Sequence, residues 1–146
     1  MIKSVIQSIL SRYDASIKAA QARRELVDLR IERFAEILRD KIPVILEEIC
    51  KADSRISFKN KGNIFTVVFG ENKNWERNLF SIAIFHMSDR SLFKIDNVER
   101  IRYNGSSDQL LEVMLTPHYD EVLNNQILVA FDKNMLAIQE VDVAKI

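Results

Sequence analysis

The sequence has one cysteine, two prolines, three glycines, one tryptophan and two histidines among 146 residues. A single thiol, Cys50, excludes an intrachain disulfide and a cysteine-rich zinc site, and it suits a reducing compartment. So few glycines and prolines leave little punctuation, which favours long regular elements over a loop-rich scaffold. No stretch approaches the roughly 20 apolar residues of a membrane span. The first residues lack the basic cluster and unbroken apolar run of a signal peptide, since Ser, Gln and Arg interrupt them. A cytoplasmic location is the expectation. An excess of one charge sign is missing too, because 21 Lys and Arg balance 21 Asp and Glu. The balance is uneven along the chain: residues 1–105 carry 19 basic against 14 acidic side chains, and residues 106–146 carry 2 against 7. The acidic segment is expected to fold back beside the basic part, the alternative being a basic face for an acidic partner.

What the chain does have is a seven-residue apolar repeat through its first forty residues. Ile6, Tyr13, Ala20, Val27 and Phe34 recur every seventh position, and Leu10, Ile17, Arg24, Ile31 and Leu38 form a second such series. The latter take the a positions and the former the d positions of a coiled-coil seam. Ile6, Leu10, Tyr13, Ile17, Ala20, Arg24 and Val27 are therefore the expected oligomer interface, with a homodimer as the assembly. Arg24 is costly in a dry seam, but a polar a residue commonly limits oligomer number, and its long stem can snorkel to the edge. Arg23 at g and Asp28 at e have the offset that pairs them across a parallel dimer. Past Arg24 the stripe widens through Leu26, Leu29 and Ile37, as in a helix packing on a globular body. The carboxyl half of the helix is thus expected to be buried and the amino half to project. Pro43 should kink the helix or start a second one.

From Ser54 the apolar period changes from helical to alternating, which predicts strands. Ile56 and Phe58, then Ile64 to Phe69, flank a polar segment whose Gly62 suits a tight hairpin. Further strands are predicted at 79–87, 92–95, 98–103, 110–115 and 127–131, with Met135 to Val143 ambiguous. Thr116 before Pro117 reads as a helix cap and first turn, giving a short helix to about Asn125. The expected class is α+β: a long amino-terminal helix over residues 1–52, then a mostly antiparallel sheet of about five to seven strands with one short late helix over 53–146. This order resembles restriction-nuclease-like cores, which need a lysine two residues beyond the second metal-binding acid. Here Glu99 is followed by Arg100 and Ile101, and Glu112 by Val113 and Met114, so that chemistry is not expected.

No metal or cofactor motif is present. His86 lies on a predicted strand and His118 near a helix start, and neither has a ligand at metal-binding spacing. Cys50 follows an apolar helix face, where a free thiol acts as a small hydrophobe. Trp75 stands alone in the polar segment Glu71–Asn78, either capping a core edge or serving as an interface anchor. Tyr103 and Tyr119 are weaker anchors of the same kind, and Arg100 with Arg102 would form a basic strand face. The leading expectation is a non-enzymatic protein–protein interaction module of the adaptor, accessory, immunity or inhibitor type seen in bacteria and phages. It would self-associate through its first helix and bind a partner through Trp75, Arg100, Arg102 and Tyr103. The alternatives are a nucleic-acid-binding or regulatory dimer using basic surfaces and, further off, a small-ligand or enzymatic pocket near His86.

Overall fold

The computed structural model describes residues 1–71, 75–88, 91–100 and 107–146, with backbone alone at 86–88, 91–92 and 107–108. Helix α1 spans Ile2–Ala52. Strands β1 (Ile56–Lys61), β2 (Ile64–Phe69), β3 (Arg77–Ser88), β4 (Ser91–Ile95) and β5 (Val98–Arg100) follow, then helices α2 (Ser107–Met114) and α3 (Pro117–Ala144). This is the expected α+β architecture, and five strands form one antiparallel sheet in the order β1-β2-β3-β4-β5.

Two tight turns fix the meander. Gly62 takes a φ of +63° in the two-residue link between Lys61 and Ile64, a region that glycine enters at no steric cost. Asp96 and Asn97 link β4 to β5, both with positive φ, the geometry that Asp and Asn tolerate best among non-glycine residues. The turn is tied down elsewhere: Asn134 of α3 donates to the Asp96 carboxylate at 3.0 Å, and the Asp96 N–H donates to the Ser81 carbonyl at 3.0 Å. Between β2 and β3 the register slips by one residue, with Val67 opposite Phe80 and Val68 opposite Asn78, so Leu79 is bulged.

One face of the sheet is covered by helices. Phe65, Val67, Phe80, Ile82, Ile84, Phe93 and Ile95 alternate inward and pack with the buried residues of all three helices. The other face is mixed, with Thr66 opposite Ser81 and Lys94 opposite Glu99 beside the apolar Ile64, Ala83 and Phe85. Helix α1 contributes Phe34, Leu38, Ile42 and Leu46 to the core, each no more than 1% exposed. Pro43 lies inside α1 without ending it, so no second helix starts there. Buried side chains on both sides of Pro43 seat on the same core, which offsets the hydrogen bond that the proline removes.

Two predicted strands are helices instead. Residues 110–115 fall mainly in α2, where Leu110 and Met114, four apart, bury one face. Residues 127–131 lie within α3, whose buried Tyr119, Leu123, Ile127 and Ala130 recur at helical spacing while Leu128 and Val129 are exposed. A short apolar run does not separate a strand from a helix segment, and here the period shows only across the longer element. Thr116 does cap the helix, accepting from the Tyr119 N–H at 3.3 Å, with Pro117 in the first turn, but α3 runs to Ala144 instead of stopping near Asn125. The ambiguous stretch Met135–Val143 is its last part. Side-chain clamps pin the helices down: Lys41 of α1 pairs with Asp120 of α3, and Arg77 of β3 holds Asp142 of α3 through two bonds of 2.7 and 2.8 Å.

Candidate functional site

Two surfaces stand out, and each is built by a different part of the chain. The first is the amino-terminal arm of α1. Every residue from Met1 to Leu29 is exposed, and the first buried residue is Phe34. At 1.5 Å per residue the exposed stretch is about 43 Å long. Ile6, Leu10, Tyr13, Ile17 and Val27 keep 40–62% of their surface in solvent, and Ala20 and Arg24 are also exposed. Further along the same two series Ile31 at a is half-buried, and Phe34 at d and Leu38 at a are fully buried in the body. One continuous stripe is thus satisfied by the core at one end and bare at the other.

The second surface is a cleft of about 830 Å³ between the end of β2, the start of β3 and the last turns of α3. Phe69, Met135 and Ile138 line it, and Trp75, 73% exposed, stands among its lining residues. The indole therefore does not cap a core edge. Gly70 makes this arrangement possible. A Cβ there would come within 2.7 Å of the Glu76 Cα and 2.8 Å of the Trp75 carbonyl oxygen, so only glycine admits the backbone that carries the tryptophan. Both arginines of the cleft are already matched, and Lys145 is its third cation. Arg55 binds Asp53 through bonds of 2.9 and 3.0 Å while lying 5.3 Å from the centre of the Phe69 ring, and Arg77 holds Asp142. These bonds draw the Asp53 carboxyl down to about 2 and lower that of Asp142 below its ordinary value. Guanidinium groups committed to carboxylates leave the cleft suited to an apolar side chain more than to a phosphate.

The other candidate residues fall elsewhere. Arg100 pairs with Phe93 across β4 and β5, so it lies on the helix-covered face and not on an outer basic surface. It is half-buried, and its Nε has no hydrogen-bond partner. Arg102 and Tyr103 lie outside the described residues, as does the side chain of His86. His118 is exposed. Tyr119 is buried, its hydroxyl has no partner, and burial together with Asp120 pushes its pKa up. It is a core residue and no surface anchor. Cys50 is half-buried, and burial followed by the charge of Glu47 raises its thiol pKa, which suits an inert side chain. Among the described residues no three His, Cys, Asp or Glu side chains come together as a metal site would need. No helix among them is long and apolar enough to cross a membrane. A smaller apolar hollow of about 640 Å³ lies between α1 and α3, lined by Ile45, Ile49, Leu128 and Phe131.

Sequence reasoning found the arm and Trp75 but missed the cleft beneath it, whose far wall comes from residues first read as ambiguous. A helical reading of 135–143 would have placed Met135, Ile138 and Asp142 along one side of α3. No family model, no curated protein and no solved structure matches this chain.

Proposed function

We propose that the protein is a non-enzymatic interaction module that self-associates through the exposed part of α1 and offers its α+β body to a protein partner. The observation that carries this reading is the bare heptad stripe from Ile6 to Val27 on a helix that projects about 43 Å. An apolar stripe sustained over three to four heptads has no structural use in isolation, because a helix in water is stabilised mainly by packing of its apolar face. The Trp75 cleft supports the second half of the reading. An exposed indole supplies a large rigid contact area at low entropic cost, and an apolar floor lies below it. The nucleic-acid alternative draws less support, since Arg100 faces the helices and both cleft arginines are bound to carboxylates.

The test is the solution mass by light scattering after size exclusion, over a tenfold concentration range. A stable mass of about twice the chain's 17.0 kDa supports self-association. A monomer across the whole range overturns it. Retention on heparin that falls steeply with salt would move the reading to the nucleic-acid alternative.

A further inference from the structure

Resting on the reading that the arm self-associates, we infer that two copies pair their arms antiparallel, centred near Ala15, and hold their bodies at opposite ends. The first argument is steric. The stripe used by the arm continues into Phe34 and Leu38, and there it is covered by the chain's own sheet and helices. In a parallel pair each helix would run beside the other past residue 30 for another twenty or so residues, into the space that the partner's body already fills. An antiparallel partner runs the other way, away from that body.

The second argument comes from the seam residues. A parallel dimer sets each a or d residue against its own copy: Arg24 against Arg24, Lys3 against Lys3, Tyr13 against Tyr13 and Ala20 against Ala20. Two of these layers oppose like charges, one crowds two rings and one leaves a gap between methyl groups. Reversing one helix about Ala15 sets Leu10 against Ala20, Tyr13 against Ile17, Ile6 against Arg24 and Lys3 against Val27. Large residues now meet smaller ones, Arg24 lays its stem on Ile6, and Lys3 arrives beside Asp28. The pairing also covers the exposed stretch and stops short of the body. Sliding one heptad further would press Lys3 of one copy onto Phe34 of the other, which is buried. Against this, a parallel dimer gains only the Arg23–Asp28 pair on each side, and an exposed ion pair of this kind contributes little.

The two bodies then stand about 45 Å apart along the common axis, counting from Arg30 to Arg30 at 1.5 Å per residue. Each presents its own Trp75 cleft, so the assembly is a two-headed rod and not a side-by-side pair.

The experiment measures a spin-label distance in the full chain. Cys50 is replaced by serine and Ser4, exposed and at a b position outside the seam, by cysteine for labelling; the mass is measured on the same sample. The antiparallel pair places the two labelled positions about 33 Å apart along the axis, since Ser4 lies opposite Leu26. A parallel pair places them about 10 Å apart before label reach is added. A dimer with the long distance supports the inference. A dimer with the short distance overturns it while leaving self-association intact. A monomer at every concentration overturns both.

Discussion

At the scale of single residues, the structure is most informative where a polar atom lacks a partner. The Tyr119 hydroxyl is buried in the core with nothing to bond, a situation that costs about 1–3 kcal/mol for a buried polar group. Tyr119→Phe keeps the ring and removes the unsatisfied atom. The expected outcome is unchanged or higher stability, by up to about 1 kcal/mol, in urea unfolding followed by circular dichroism. A loss of more than that would mean the hydroxyl has a partner in solution. Gly70 shows a different kind of constraint, since the space for its missing Cβ is taken by backbone, and backbone cannot rotate away. Its neighbour Gly62 needs its positive φ instead. Only the second of these was legible from sequence, because a hairpin turn is a local event and a chain crossing is not.

At the scale of elements, α1 is one helix with two environments. Leu38 and Ile17 are both a residues of the same repeat, yet one is fully buried and the other 42% exposed. Leu38→Ala should cost about 2–5 kcal/mol of folding stability, as large-to-small core changes do. Ile17→Ala should leave the body's stability within about 0.5 kcal/mol, as surface changes do, and should weaken self-association instead. Chemical unfolding read beside light scattering separates the two effects. Equal destabilisation by both substitutions would mean that the arm packs on its own body. The heptad pattern was plain in the sequence, and so was the change near Arg24 from a narrow stripe to a wide one. Helix α2 and the part of α3 beyond Asn125 were not plain. Their apolar residues include runs such as Ile127–Phe131 that satisfy a strand as well as a helix, and only the spacing of Tyr119, Leu123, Ile127 and Ala130 over a longer stretch separates the two. At Pro43, where the sequence predicts a kink or a second helix start, no second helix begins and α1 runs on. Proline disfavours a helix interior locally, but a core gripping both flanks outweighs the cost.

At the scale of the whole molecule, Asp142 ties α3 to β3 and Asp53 holds Arg55 in the link after α1, and these carboxylates couple the fold to pH. The folded pKa values of Asp53 and Asp142 are lowered, so the stability they contribute is fully present above the unfolded carboxylate value of 3.8. It is lost as pH falls through the lowered folded values, for Asp53 near 2. Thermal melts should be insensitive to these two groups from neutral pH down to about 4 and should fall below it. Asp142→Asn should lower the melting temperature at neutral pH and flatten the decline in acid. An unchanged acid slope in that variant would mean that the Arg77 clamp is not held in solution.

The sequence by itself determined the long amino-terminal helix with its heptad stripe, the change from helical to alternating period near Ser54, the Gly62 hairpin and the Thr116 cap. Each of these is written in neighbours a few residues apart, through side-chain periodicity, a backbone angle or a capping hydroxyl. Only the tertiary structure decided where the stripe of α1 stops being surface and becomes core, since Phe34 and Val27 look alike in sequence and differ in what lies beside them. It also decided that Arg100 faces inward, because a strand's two faces are distinguished by which one the helices cover. The Trp75 cleft belongs to the same class. Phe69, Trp75 and Met135 are far apart along the chain, and they meet because α3 crosses the end of the sheet and Arg77 holds it there.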